Sequence, residues 1–434
     1  MLNLSNSMEK EKKITNSRIL AIDFVRGLAI ILMALDHASA FWNVGKRGGS
    51  GLVYFWNEEV GAFTDFHRPI FPDLINFLVR FVTHWCAPTF IFLAGTSIVL
   101  FEAKRLEKGV SQSEISKHLI IRGLILLLIE WTIIAWAFHA EPFYFGVLAL
   151  LGVGFIIFAF FRRVDPKVVL IFSLVLFLGP LIDYFLLGLP GRYFSFFNPG
   201  FIISQFPASL QNYFFTVTYI PQYPPLIGLY PLDPWLGVMG MGFVFGHWLQ
   251  KQNIPEDNQF IAKRLAMAGG VSIFAFFVLR LTQGWPFNHL SILDAKGDPF
   301  SIETFFLLAK YPPSLGFLLW TLGGMCLALS VAFYFQNHEW FQKWTSPIVL
   351  FGATPLFFYS THLLLYGAVP IFMSILSGEP THNTFIITLF GDALFLSLLV
   401  TLVVWILGLL ILYPACVQFR HMKKMYPDPV FKYI

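Results

Sequence analysis

The sequence predicts an all-α, polytopic membrane protein with about 10 transmembrane helices, long outer loops, and cytosolic N- and C-termini. Of its 434 residues, 56% are hydrophobic and only 12% are charged, whereas soluble domains carry roughly 25% charged residues. Apolar runs long enough to cross a hydrocarbon core of about 30 Å recur along the chain. A soluble enzyme and a DNA-binding domain are therefore excluded, and a net charge of +4 is too small to indicate a nucleic-acid partner.

Ten segments are predicted to span the membrane as helices, because each is a continuous apolar run rather than an alternating one. In chain order they cover residues 19–40, 84–101, 119–138, 143–161, 168–187, 232–248, 265–281, 315–335, 348–376 and 385–414. The ninth and tenth are long enough to tilt or kink. Pro355 and Pro370 lie inside the ninth span and are the expected kink points.

The distribution of basic residues predicts the orientation of these spans. With the N-terminus inside, the inner connections and tails contain 20 of the 29 Lys and Arg residues, and the outer connections contain seven. Because basic residues favour the cytosolic side, the sequence predicts that both termini are cytosolic.

Three outer connections are long and rich in aromatic residues and Pro: residues 41–83, 188–231 and 282–314. Loops of this length rarely lack structure of their own, so we expect short interfacial helices and a lid over the outer face. The chain shows no internal repeat. It is therefore interpreted as a cytosolic tail (1–17), a single transmembrane domain (18–415) and a second cytosolic tail (416–434).

Ionisable residues inside the first span carry the main functional signal. A charge there costs at least about 2.5–3.5 kcal/mol by insertion scales, so each one needs a partner or a function. Asp23 and Arg26 lie one helical turn apart and are expected to form an ion pair. His37 lies close to the same helix face as Arg26, within about 20°. Asp36 and His37 end this span near the predicted outer face and are candidate catalytic residues.

Other polar residues are expected at the same outer level, where they can converge with Asp36 and His37. They are His84 at the start of the second span, Asp233 at the start of the sixth, Arg280 at the end of the seventh, and His362 in the outer half of the ninth. His67 lies in an outer loop and can reach the same site from above. Nearer the inner face, Arg122 and Glu130 of the third span either pair with one another or bind an anionic cofactor.

Two classes of function fit these residues. Acyl transfer needs a base or nucleophile, which His supplies near neutral pH, and positive charge for the oxyanion. A proton-coupled transporter or permease would use the same His, Asp and Arg residues to relay protons and bind its substrate. The sequence has no metal-binding motif and no Gly-rich nucleotide-binding motif, so no metal is predicted.

Five segments, in order, resemble a known group of membrane proteins. The first is Arg18-x4-Asp23-x2-Arg26-Gly27-x8-Asp36-His37, and the other four cover residues 88–95, 234–242, 310–315 and 352–362. Together they resemble the bacterial members of the family of the heparan-alpha-glucosaminide N-acetyltransferase catalytic domain. That family is similar to the wider group of type-three membrane acyltransferases, which also open with Asp, Arg-Gly and a late His.

The resemblance implies an integral-membrane acyltransferase that uses acetyl-CoA from the cytosol as co-substrate and acetylates a sugar or glycan-like acceptor on the outer side. His37 would act as base or acyl carrier, oriented by Asp36, and His84 is a further catalytic candidate. Substrate or cofactor binding is expected from Asp23, Arg26, Arg122, Arg280, His362 and His67. The expected surroundings are the lipid bilayer of a bacterial cytoplasmic membrane, and a homodimer is compatible with the sequence.

Overall fold

The computed structural model describes residues 19–43, 52–57, 62–67, 74–138, 143–178, 218–220, 226–281, 305–306, 308–311, 313–377, 394–426 and 433. Most of these residues are helical. The helices are α1 Leu20–Trp42, α2 Leu74–Thr83, α3 Cys86–Glu107, α4 Gln112–Ile129, α5 Ala135–Ala137, α6 Val147–Phe161, α7 Pro166–Phe177, α8 Leu232–Gln250, α9 Asn258–Leu281, α10 Leu315–Phe335, α11 Glu339–Ala353, α12 Pro355–Ser377 and α13 Leu394–Met425. A single π-helical turn, Glu130–Ile134, joins α4 to α5.

Helix occupies part of each of the ten segments predicted from the sequence. Within the described residues, five continuous helical stretches are long and apolar enough to cross a membrane, or six if the bent pair α11–α12 forms one span. The five are Leu74–Glu107, Gln112–Ala137, Asn258–Leu281, Leu315–Phe335 and Leu398–Met425. The protein is therefore a multi-pass membrane protein, while the number of ten spans and the orientation of the termini stay predictions.

Polar residues at helix ends explain where several helices begin. Ser111 and Glu114 form a reciprocal capping box at the start of α4. The Asp165 side chain accepts a hydrogen bond from the Lys167 amide at the start of α7, and Ser314 does the same for Phe317 at the start of α10. Each cap satisfies backbone N–H groups that the first helical turn leaves without a partner.

The chain bends sharply within the predicted ninth span. Helices α11 and α12 meet at an angle of 83° at Thr354, and Pro355 is the first residue of α12. Proline fits the first turn of a helix but disfavours helical backbone at the residue before it. The expected kink at Pro355 is therefore confirmed.

Five of six short strands lie in the long outer connections, where the sequence predicted interfacial helices and a lid, whereas one begins the segment predicted as the fourth span. Strands β1 (Leu52–Asn57), β2 (Ala62–His67) and β6 (Ala309–Tyr311) form one sheet, and β3 (Phe143–Phe145), β4 (Thr218–Ile220) and β5 (Leu226–Gly228) form another. Pairing of β1 with β6 and of β3 with β5 joins connections that are distant in sequence. Because β1 of the first sheet also contacts β4 of the second, all of these connections lie at one end of the helical bundle. The only described helix within the long predicted outer loops that is longer than one turn is α2.

Helix α1 is central and contacts α2, α3, α10, α11, α12 and α13. Glycines allow the closest of these approaches. A Cβ atom on Gly27 would lie 1.9 Å from the Ile348 carbonyl oxygen, and one on Gly352 would lie 1.8 Å from that of Asp23. Small residues commonly permit such backbone contact between membrane helices. The Gly27–Gly352 crossing thereby fixes α1 against α11.

Candidate active site

A pair of histidines joins α1 to α12. His37 Nδ1 lies 2.7 Å from His362 Nε2, and the two rings are stacked with centroids 5.0 Å apart. His362 is fully buried, whereas His37 is partly exposed. The structure therefore brings together two of the histidines that the sequence placed at the same predicted outer level.

The hydrogen bonds of His362 assign the tautomers of both rings. His362 Nδ1 lies 2.8 Å from the Phe358 carbonyl oxygen, which is only an acceptor, so Nδ1 carries the proton. Neutral His362 then has an unprotonated Nε2, which must accept the hydrogen bond from His37 Nδ1–H. Neutral His37 consequently has its lone pair on Nε2. This atom is the proton-accepting or nucleophilic atom of the pair.

Aromatic rings surround the histidine pair. The ring of Phe138, at the end of the third predicted span, contacts His37 edge-on at 5.3 Å between centroids. The ring of Tyr359 lies 6.2 Å from His37 and 5.7 Å from His362. Apolar walls of this kind hold the rings in place and limit water around His37. Sequence reasoning missed Phe138 and Tyr359, since their role depends on helix rotation.

Asp36 accepts hydrogen bonds from Arg80 and from Thr83, whose hydroxyl lies 3.0 Å away. Arg80 is almost fully buried, and its guanidinium forms an ion pair with Asp36. Helix α2 packs on α1 and brings Arg80, which the sequence places in an outer connection, against this carboxylate. Orientation of His37 by Asp36 stays a prediction.

The expected Asp23–Arg26 ion pair is present, with 3.1 Å between Arg26 Nη1 and Asp23 Oδ1. The same guanidinium donates to the Gly352 carbonyl at 3.3 Å and to the Ser97 hydroxyl at 2.9 Å. Arg26 therefore links α1 to α11 and α3. These contacts explain why an Arg-Gly pair suits this position of α1.

Arg122 and Glu130 do not pair with one another. The Arg122 guanidinium lies over the ring of Phe155 at 5.1 Å, and its Nε is buried without a hydrogen-bond partner among the described residues. Its neighbour Arg26 repels it electrostatically. Glu130 is fully buried, and its Oε2 accepts a hydrogen bond of 3.2 Å from the Leu148 amide in the first turn of α6. A carboxylate is favourable at this end of a helix.

The remaining predicted site residues have other contacts. The ring of His84, which is buried before α3, contacts Phe317 edge-on at 5.5 Å. Arg280 Nε donates to the Phe305 carbonyl at 2.9 Å. His67 ends β2, and its side chain lies outside the described residues. The part these three residues play in a site stays a prediction.

The described helices form a multi-pass membrane bundle that contains a histidine pair and buried cations. The family model described as "Heparan-alpha-glucosaminide N-acetyltransferase, catalytic" matches residues 64–281, which is half of the chain. The chain therefore belongs to this family of membrane acetyltransferases. No curated protein matches the chain.

The matched segment contains Arg80, His84 and Arg122, whereas His37 and His362 lie on either side of it. Among the described residues, no group of three or more His, Cys, Asp or Glu residues could hold a metal ion.

Proposed function

We propose that this protein moves an acetyl group from cytosolic acetyl-CoA to a sugar or glycan-like acceptor on the outer side of the membrane. The observation that carries the proposal is the histidine pair, because its hydrogen bonds direct the lone pair of His37 to Nε2. Family membership supports the reaction class.

His37 Nε2 can serve the reaction in two ways. As a general base it accepts the proton of the acceptor hydroxyl or amine while that group attacks the thioester carbonyl carbon. The new C–O or C–N bond forms, the C–S bond breaks, and the proton passes to the departing thiolate. As an acyl carrier, Nε2 itself attacks the thioester, a C–N bond forms, and the C–S bond breaks with release of the thiolate. The acceptor then attacks the acetyl carbon, the C–N bond to Nε2 breaks, and the proton of the acceptor passes to the thiolate. Both routes require an unprotonated Nε2, which the contact with His362 favours.

The donor is expected to bind nearer the inner face. Arg26 lies about 16 Å from His37 along α1, and Arg122 lies close to Arg26. Arg26 is already paired with Asp23, so Arg122 is the better ligand for the phosphates of CoA, for which a guanidinium is well suited. The thioester of the donor would then reach His37 from the inner end of α1, and the acceptor would reach His37 from the outer end.

The topology in this proposal has ten spans, cytosolic termini and one transmembrane domain over residues 18–415. The sheets formed by β1–β6 support it, because they unite connections that the charge distribution assigns to the same outer side. On this topology the strands cover the acceptor end of the site.

Acetyl transfer in proteoliposomes tests the proposal. Purified protein receives radiolabelled acetyl-CoA on one side and a mixture of amino sugars and oligosaccharides on the other. Wild-type protein and His421→Ala, a change at an exposed histidine in the last turns of α13, should label the acceptor. His37→Ala should not. Full transfer by His37→Ala, together with its loss in His84→Ala or His67→Ala, would show that a different histidine is central.

Binding of CoA separates this proposal from proton-coupled transport. An acetyltransferase should be stabilised against heat by CoA, and its labelling of the acceptor should not depend on a proton gradient. Substrate flux that requires a proton gradient, without any stabilisation by CoA, would instead identify a transporter.

A further inference from the structure

Lys310 is a buried cation in the connection before α10. It lies in β6, and only 6% of the residue is exposed. In the described part of the chain its ammonium forms no ion pair, and it lies over the face of the Tyr311 ring, 5.1 Å from the centroid. Buried charges in proteins are normally paired, since an isolated one loses its hydration without compensation. Lys310 is therefore a candidate for binding an anion from outside the described residues.

Other charged groups lie near Lys310. Asp36, Lys310 and Arg80 all act electrostatically on the thiol of Cys86 in the first turn of α3, so the three charged groups lie close together. Arg80 and Asp36 form an ion pair with each other, whereas Lys310 forms no ion pair within the described residues.

The ring under the Lys310 ammonium belongs to one of two paired tyrosines. The phenolic oxygens of Tyr230 and Tyr311 are 3.2 Å apart, and both residues are buried. Burial is the largest cause that raises the pKa of Tyr230 well above that of an ordinary phenol. This hydroxyl is therefore protonated at neutral pH and can donate a hydrogen bond. A cation with neutral hydroxyl donors next to it suits a carboxylate or a phosphate.

The Lys310 region adjoins the histidine pair. Tyr311 lies within electrostatic reach of Tyr359, whose ring is 6.2 Å from that of His37. On the other side, Asp36 directly precedes His37 in α1. An anionic group held by Lys310 would thus lie near a substrate that reaches His37.

We propose that Lys310, together with Tyr230 and Tyr311, binds an anionic substituent of the acceptor, so that the preferred acceptor is an acidic sugar. This inference rests on the proposed acetyl transfer and narrows its acceptor class. The anion can be a carboxylate or a phosphate, because an ammonium group recognises both as a point charge.

Competition between matched sugars tests the inference on the full-length protein in detergent. Glucuronate and glucose 6-phosphate are compared with glucose, at constant ionic strength, as inhibitors of acetyl transfer and as stabilisers against heat. At least one acidic sugar should inhibit at a concentration lower by about tenfold or more, as expected for one charge-assisted hydrogen bond. A stronger effect of glucuronate identifies a carboxylate, and a stronger effect of glucose 6-phosphate identifies a phosphate.

Three variants test whether Lys310 is responsible for the preference for acidic sugars. Lys310→Gln should lose the preference for the acidic sugar, and Lys310→Arg should keep it. Lys108→Gln, at the exposed C-terminal end of α3, should behave like the wild type. Equal inhibition by acidic and neutral sugars in the wild type would overturn the inference, as would an unchanged preference in Lys310→Gln.

The outcome remains decisive if Lys310→Gln does not fold, because the wild-type comparison and Lys310→Arg still test the charge. Loss of the acidic preference in a folded and active Lys310→Arg would overturn the inference, since this change retains the positive charge. Failure of the inference is distinguishable from failure of the proposed function. An enzyme that transfers acetyl groups without an acidic preference refutes only the acceptor class, whereas a protein that does not bind CoA refutes the transfer itself.

Discussion

Gly27 of α1 and Gly352 of α11 face each other at a crossing where the two helix backbones touch. Each glycine leaves room for a carbonyl of the opposite helix, that of Ile348 or that of Asp23. Next to this crossing, Arg26 donates a hydrogen bond to the Gly352 carbonyl. A close helix crossing and a partly buried, ion-paired Arg therefore lie side by side on the central helix.

Gly27→Ala should destabilise the protein, because its Cβ would lie 1.9 Å from a backbone oxygen that only helix displacement can move. We expect a loss of about 1–3 kcal/mol, typical of overpacking, measured as a lower midpoint of thermal unfolding in detergent. Gly270→Ala is the matched control, since a Cβ there meets no atom within 4 Å. It should be neutral or slightly stabilising, because Ala favours helix by about 1 kcal/mol. Equal effects of the two changes would contradict the role of the crossing.

Asp36→Asn should also destabilise the protein, by about 3–5 kcal/mol, because it leaves the buried guanidinium of Arg80 without its counter-charge. Arg80→Met should be similarly costly. The double variant should lose clearly less than the sum of the two single losses, since both charges are then absent. Thermal unfolding of all four proteins completes the cycle. Additive losses would show that the two residues do not interact.

The sequence was informative where the relevant contact is local. Asp23 and Arg26 are one turn apart in a single helix, so their ion pair followed from helical spacing alone. The bend at Pro355 likewise follows from the geometry of one residue. Helix α10 was predicted over residues 315–335, and the structure has it as Leu315–Phe335, because its apolar run begins directly after a capping Ser.

Contacts between distant segments were harder to predict. The partner of His37 is 325 residues away and is determined by the rotation of α1 and α12. Arg80 lies in a segment interpreted as loop, yet α2 forms there and buries it against Asp36. The three-residue strands β3 to β6 depend on pairing between connections, so no period-2 pattern is long enough to reveal them. These long-range contacts are also the ones that assemble the candidate site.

His362→Leu should lower kcat for acetyl transfer by about 100-fold, because His37 would lose the acceptor that orients its ring and fixes its tautomer. The KM for acetyl-CoA should stay close to that of the wild type. His362→Gln should retain more activity, since its side-chain carbonyl can accept the hydrogen bond from His37 Nδ1. The pH dependence of kcat should change in His362→Leu, because the titration of His37 then lacks its partner. Equal activity of the Leu and Gln variants, with unchanged pH profiles, would reduce His362 to a packing role.

Arg122→Gln should weaken CoA binding without destabilising the protein in the absence of CoA. The Arg122 guanidinium has a buried Nε without a hydrogen-bond partner among the described residues, and it is repelled by Arg26. Because Arg122 forms no ion pair among the described residues, its removal breaks none, so the unfolding midpoint of the free protein should stay the same or rise. The increase in this midpoint that saturating CoA produces should be lost, and the KM for acetyl-CoA should rise.

Arg162→Gln is the control for this prediction, because that guanidinium is buried, forms an ion pair with Glu102 and contacts Gln112 and Ser116. Its removal leaves the Glu102 carboxylate without its cation and should cost about 3–5 kcal/mol. Thermal unfolding with and without CoA compares the two variants directly. If Arg122→Gln lowers the midpoint of the free protein as much as Arg162→Gln does, Arg122 stabilises the fold. That result would contradict the assignment of Arg122 as a ligand for the phosphates of CoA.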